Sequence, residues 1–481
     1  MNAVQARLMG SDVSLQGNFA PTDHEVAAQD LQVIGHLPED LNGMYVRNGP
    51  NPRFPPVGRY HWFDGDGMLS AVRFDHGRAS FRNRWVQTAG LTEEIAAGQP
   101  LWRGLKEKQR LDRPDQPIKN TSNTDVKFHG GELLTMWYRG GTVYRVDPSS
   151  LATLGPLLQD PRLEGLPVSA HSRVDERTGE FIFFAYGNEA PYMHYGVMDA
   201  ARRIKTFVPV ELPGPRLPHD MGVTQNYSVL HDFPLINDPE ALKAGRYRVQ
   251  FKRDWPTRFA VIPRHGTASE VRWFEAEARY ALHVVNTWEE GDEIVMLATP
   301  YSIPRRWDGT QDFEAYERTI AMNATDFEFY EWRLNLRTGR TSERIVDDVY
   351  NAEFPTIDTR RQGLPTRYSY HLLMGRMHRP EDQRFAGLVK FDYRSGAGVA
   401  YCPGGDCWFS EAPFAPRSGG TEEDDGYVVS FVWNAPEQRS EVWVLDARDL
   451  PRGPVARVLM PQRVPNGFHA TWVSAERLAG G

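Results

Sequence analysis

"GYVVSFVWNAPEQRSEVWVLDARDL", residues Gly426–Leu450, reads as two β-strands joined by a polar connection over Asn434–Gln438. Val, Phe, Tyr and Trp fill both arms, and turn-forming residues separate them, which is the signature of a hairpin. The same reading repeats along the chain. "GELLTMWYRGGTVYRVDP" from Gly131 gives two strands around Arg139–Gly141. "GEFIFFAYG" from Gly179 gives a strand after the turn "DERTG". "DFEFYEWRLNLRTGRTSERIV" from Asp326 gives a hairpin closed near Thr338 and Gly339. Helical patterns are few and short: "PTDHEVAAQDLQV" near the start, "LTEEIAAGQPLWRGL" after Leu91 and "DFEAYERTIAM" after Asp312. Strand-rich sequence without a βαβ rhythm leaves three all-β architectures: a propeller, a large barrel or stacked sandwiches.

No Gly-, Ser- or Pro-rich linker divides the 481 residues, so a single domain spanning 1–481 is expected. The 42 Gly and 35 Pro are dispersed, which suits many short elements rather than a disordered tract. A net charge of −8 gives no electrostatic footprint for DNA or RNA. The segment "LWRGLKEKQRLDR", Leu101–Arg113, is mixed in sign and reads as a solvated helix or loop. Cys402 and Cys407 are the only cysteines, too few for a disulfide framework or a zinc ribbon. No run approaches the roughly 20 apolar residues of a spanning helix, and "MNAVQARLMGSDVSLQGNF" lacks a signal-peptide core. A cytoplasmic protein, with transient contact at a membrane surface, is the expectation.

Four histidines set the functional question. His171 lies in "VSAHSRVDERTGE", His219 in "PHDMGVTQNYSVLHDFPL", His283 in "YALHVVNTWEEGDE" and His469 in "PNGFHATWV". No two are close enough to chelate from one turn or helix, and the spacing matches neither HExxH nor paired Cys/His zinc patterns. Neutral imidazoles suit a first-row transition metal. A propeller can gather them, since distant blades can each send one side chain to a common axis. Seven four-stranded blades would average roughly 70 residues, longer than the roughly 40–50 of WD or kelch repeats, with the excess in loops and short helices over one face.

In order along the chain, these segments resemble the carotenoid cleavage oxygenases, the retinal pigment epithelium protein family, which includes apocarotenoid and lignostilbene dioxygenases. The resemblance runs from about Asp30 to Val473. "LNGMYVRNGPNPRF" and "YHWFDGDGMLSAVRF" are similar to its N-terminal signature. "AHSRVDERTGE", "HDMGVTQNY", "HVVNTWEEGDE" and "GFHATWV" are similar to its four ligand segments, and "NAEFPTID" and "EAPFAPR" add two further matches. It implies a seven-bladed β-propeller with loops and short helices capping the active-site face. It also implies a non-haem Fe(II) held by His171, His219, His283 and His469, and leaves His61, His129, His231 and His371 as non-ligands.

The resemblance further implies that Glu353 and Glu411 hold ligand imidazoles through their ring N–H groups, fixing the tautomer and raising basicity. A third carboxylate common in the family is replaced here by Tyr138. Trp137 precedes it, where stilbene- and isoeugenol-type members place a lysine, so Trp137 offers an apolar wall in place of a charge. Thr124 matches a position close to the iron. The implied reaction uses dioxygen to cleave a conjugated C=C bond of a carotenoid or apocarotenoid to two carbonyl products. The alternatives are cleavage of a stilbene or phenylpropenoid alkene, retinoid-ester isomerisation, and a non-catalytic metal-bearing propeller that serves as a binding module.

Overall fold

A computed structural model of the chain describes residues 12–114, 116–157, 160–302, 326–374 and 384–480. The hairpin read in Gly426–Leu450 forms as Gly426–Asn434 and Arg439–Asp446, with Asn434 opposite Arg439. The segment from Asp326 pairs Phe329–Asn335 with Thr341–Asp347. Glu132–Met136 pairs with Tyr144–Val146. Glu180–Tyr186 is the strand expected after "DERTG".

These hairpins belong to seven antiparallel sheets of four to six strands, the blades of a seven-bladed β-propeller, beside a two-stranded ladder of Leu235–Asn237 and Val249–Phe251. The chain forms two compact units. The first, Met1–Ala170, Pro239–Arg248 and Gly405–Gly481, carries three blades. The second, His171–Asp238 and Val249–Gly404, carries four. One blade of the first unit joins distant parts of the chain: Gly43–Arg47 pairs on one side with Met68–Asp75 and on the other with Ala470–Ser474. The N- and C-terminal segments therefore share a sheet.

One edge of each blade carries a strand that bears on the site. In chain order these are β1 (Asp125–His129), β2 (Arg173–Asp175), β3 (Met221–Val223), β4 (Ala281–Glu290), β5 (Ala352–Thr356), β6 (Phe414–Pro416) and β7 (Ala470–Ser474). In the first unit β7 packs against β6 and β1, and in the second β4 packs against β3 and β5.

Burial follows from blade-on-blade packing. Gly426–Asn434 is buried at every position because both of its faces meet protein. Arg78–Trp85, nearer the outside of its blade, alternates buried residues with exposed or half-buried ones. Ile182, Phe184, Tyr195, Leu230 and Ile262 fill a core of the second unit, and Tyr45, Phe74, Phe431 and Trp472 fill one of the first. Each such side chain contributes about 1.5–3 kcal/mol on burial.

Two of the three short helical readings are tested. The second forms only in its first half, as α1 (Ala89–Ala97), capped by Thr88 and ended by Gly98 at φ 66°; "GQPLWRGL" after it is not helical. The first is corrected: "PTDHEVAAQDLQV" contains the strand Ala27–Ala28, ends at Val33 where the strand Val33–Gly35 begins, and holds no helix. Its backbone is taken by an outer strand instead. Asn83 N donates to Val26 O at 3.1 Å, Leu31 N donates to Ala79 O at 2.9 Å, and Ala27 lies opposite Arg82. Sheet pairing overrides an Ala- and Glu-containing pattern. "DFEAYERTIAM" lies outside the described residues. Among them, no helix is long and apolar enough to cross a membrane.

Candidate metal centre

Each blade places one residue of interest in its edge strand or one to three residues before it. Thr124 precedes β1, His171 β2, His219 β3, Glu411 β6 and His469 β7, while His283 and Glu353 lie within β4 and β5. The ligating atoms of His171, His283 and His469 all lie within 4.8 Å of one another, and all three residues are buried. The ring of half-buried His219 is centred 4.4 Å from that of His171 and 5.2 Å from that of His283.

Irregularities in the strands aim them. In β4, Ala281 faces Pro300, Val284 faces Ala298 and Asn286 faces Leu297. Extra residues bulge on either side of Val284 and turn His283 out of the ladder. In β5, Glu353 faces Leu372 and Thr356 faces Tyr370, another bulge, with Phe354 at φ 54°. The two bulges bring His283 Nδ1 to 2.5 Å from Glu353 Oε2. His219 sits at φ 60° in a tight turn closed by Asp220 N donating to Pro218 O at 2.8 Å.

Two carboxylates hold two rings. Glu353 Oε2 also accepts the Phe354 amide, and Oε1 accepts Thr299 Oγ1 at 2.8 Å. Burial pushes the Glu353 carboxyl up, but the His283 ring, the Phe354 amide and the Thr299 hydroxyl bring it net below the usual carboxylate range. Glu411 Oε1 lies 2.9 Å from His469 Nδ1, and Oε2 accepts the Ala470 amide. With Nδ1–H given to a carboxylate, Nε2 is the nitrogen that each ring can offer a metal. A neutral imidazole set with two outer carboxylates fits a divalent transition ion such as Fe(II).

The remaining sequence candidates lie in the first unit. Thr124 Oγ1 donates to Asn123 Oδ1 at 2.9 Å and accepts the Tyr138 amide at 3.0 Å, while its carbonyl accepts the His469 amide at 3.1 Å. Thr124 therefore ties the Trp137–Tyr138 turn to the His469 segment. Trp137 is buried and forms a bridge with Ser169, two residues before His171. Tyr138, which the resemblance sets where a carboxylate is common, shares a phenol–phenol hydrogen bond with Tyr247, and the Arg139 guanidinium lies 4.3 Å over the Tyr247 ring.

Sequence reasoning missed an aromatic wall beside His469. Phe468 is centred 4.4 Å from Trp62 and 4.8 Å from Phe63, and Phe63 is 4.8 Å from Tyr138. The clue was Trp62 and Phe63 inside "YHWFDGDGM". His371 and His231 are core residues: burial lowers each to about 3, so both are neutral, with His371 Nε2 2.6 Å from Ser369 Oγ. His61, lowered to about 4 by burial, caps a short helix at Phe63.

A family model described as retinal pigment epithelial membrane protein matches residues 19–474. The carotenoid 9,10(9',10')-cleavage dioxygenase of Crocus sativus is 34% identical over 96% of this chain and 89% of its own length. The isoeugenol monooxygenase of Pseudomonas nitroreducens is 30% identical over 97% and 99%. The solved structure of the lignostilbene dioxygenase of Pseudomonas brassicacearum superposes with a TM-score of 0.84 at 28% identity, covering 97% of this chain and 99% of that one.

Proposed function

The chain belongs to the retinal pigment epithelial membrane protein family of carotenoid cleavage oxygenases, an iron-dependent enzyme family, and from that membership we propose how its residues serve the reaction. The enzyme cleaves a carbon–carbon double bond and uses Fe(II). His171, His219, His283 and His469 hold the iron, and Glu353 and Glu411 fix two of the ligand rings. Once bound, Fe(II) supplies the activation of dioxygen that lets a conjugated alkene be oxidised to two carbonyl products. The protein's own part is placement. The imidazoles serve as ligands and not as acid–base groups; in His283 and His469 one ring nitrogen is committed outward to a carboxylate, which leaves the other for the metal.

The convergence of the three histidine donors within 4.8 Å carries this reading. The substrate we propose is a carotenoid or apocarotenoid. The run Trp62–Phe63–Phe468–Tyr138 offers ring faces and edges to an extended π-system next to His469 and excludes water from it. Trp137 contributes an apolar surface and no cation. So apolar a substrate partitions into lipid, and the reading includes transient contact of a cytoplasmic enzyme with a membrane surface during uptake. The two units act in this reading as one catalytic domain.

A second reading, cleavage of a phenolic stilbene or phenylpropenoid, is favoured by the Tyr138–Tyr247 phenol pair and Arg139 beside it. Parallel incubations of the Fe(II)-loaded protein with an apocarotenal and a hydroxystilbene separate the two. We expect faster turnover of the apocarotenal; exclusive turnover of the stilbene overturns the polyene assignment.

A further inference from the structure

Three of the four histidine segments meet at a single ion pair. Arg173 lies two residues after His171, Asp220 directly follows His219, and Val284 directly follows His283. Arg173 Nη2 lies 2.7 and 2.6 Å from the two oxygens of Asp220. The same nitrogen donates to the Val284 carbonyl at 3.2 Å, and Arg173 Nε donates to the Met221 carbonyl at 3.3 Å. Asp220 Oδ2 accepts the Val284 amide at 2.7 Å, and Oδ1 accepts the Met221 amide at 2.7 Å. The Asp220 side chain is 2% exposed.

Val284 lies between the two bulges of the edge strand β4, and its amide donates to Asp220, so Asp220 satisfies a buried backbone donor of that strand. The His219 backbone lies in the left-handed region, which a non-glycine residue keeps only when its surroundings over-determine it. Asp220, joined to β2, β3 and β4 at once, supplies that constraint. We propose that Asp220 and Arg173 are positioning residues that set the register of the His171, His219 and His283 segments, so that three ligands dispersed in sequence present a preformed metal site. The inference rests on the reading of these histidines as iron ligands. It adds the device by which the fold assembles them.

Charged groups buried in a core also act as plain structural elements, so the test needs a matched control. Asp232 supplies one. It is similarly buried, pairs with Arg216 Nε at 2.7 Å and Arg258 Nε at 2.8 Å, and through those pairs reaches none of β2, β3 and β4. Metal-free wild-type protein and the variants D220N, R173M and D232N are titrated anaerobically with Fe(II) and with Co(II), the latter read by its ligand-field absorption. Circular dichroism and Tm record folding. The expected result is a roughly 10–100-fold loss of metal affinity in D220N and R173M, the range for groups that orient metal ligands, with a changed Co(II) band. D232N lowers Tm but keeps affinity within about 3-fold. Should D220N or R173M fail to fold, R173K is read instead: it keeps the charge, cannot span Asp220 and both carbonyls, and is expected to lose affinity as well. Folded variants that bind both metals as wild type does, or an equal loss in D232N, overturn the inference. A wild-type protein that binds neither ion overturns the metal-centre reading itself.

Discussion

Glu353 and Glu411 perform the same task with different numbers of donors, and this makes their amide variants unequal. Glu353 has three partners: His283 Nδ1 and the Phe354 amide on Oε2, and the Thr299 hydroxyl on Oε1. In E353Q the amide oxygen can face His283 and Phe354 while the NH2 group faces Thr299, whose hydroxyl can turn from donor to acceptor. Every hydrogen bond survives and only the charge is lost. Glu411 offers one oxygen to His469 Nδ1 and the other to the Ala470 amide, both obligate donors when Nε2 holds metal. In E411Q the NH2 group must oppose one of them. Loss of an outer carboxylate is worth about 10-fold in metal affinity at the low end of its range, or about 1.4 kcal/mol. A buried donor left unsatisfied adds about 1–3 kcal/mol. E353Q is therefore expected to weaken Fe(II) binding about 10-fold, and E411Q about 100-fold or more. Anaerobic transfer of iron to a chromogenic ferrous chelator gives both the affinity and the release rate. Equal losses, or a larger loss in E353Q, refute the hydrogen-bond argument.

Further outcomes are expected elsewhere in the molecule. W62A and F468A remove parts of the wall beside His469; they should raise KM for a polyene several-fold while the iron content measured by elemental analysis stays at the wild-type level. His231 is buried and its folded-state pKa, about 3, lies below the ordinary 6.5, so the unfolded chain binds the extra proton between these values. Stability is then complete above about pH 6.5 and falls as pH drops, by about 2 kcal/mol at pH 5 from this residue; denaturant titration of wild type and H231Q over pH 5–7 should show a shallower acid loss in the variant. A Cβ at Gly196 would lie 2.2 Å from the fully buried Phe183 ring, so G196A should cost about 1–3 kcal/mol, read as a lower Tm.

How much was legible divides by the range of the interaction. The hairpins of Gly426–Leu450 and Asp326–Val346 could be read because a strand's pattern and its turn lie in one window. The histidines proposed to hold the metal were legible only together, in order and with their flanking motifs; any one, such as His283 in "YALHVVNTWEEGDE", resembles an ordinary core histidine. Glu353 and Glu411 came with those motifs; in the structure Glu353 meets His283 and Glu411 meets His469. The error at Pro21–Val33 came from local propensity, which holds no information about the outer strand Arg78–Trp85 that captures this backbone. Asp220 and Arg173 gave no signal, since their significance depends on a bulge in β4 more than sixty residues away. Tyr138 was recognised as a departure, but its partner Tyr247 comes from a segment that nothing in the local sequence connects to it.

The central claim is that one iron, held by residues from several blades, cleaves a conjugated double bond. The most direct measurement loads the metal-free protein with one equivalent of Fe(II) without oxygen, adds an apocarotenal, admits oxygen and identifies both fragments by mass spectrometry. The account predicts two carbonyl products from one alkene, in an amount that tracks iron occupancy. Turnover that persists after complete removal of iron, or an iron-loaded enzyme that leaves every conjugated alkene intact, would contradict it.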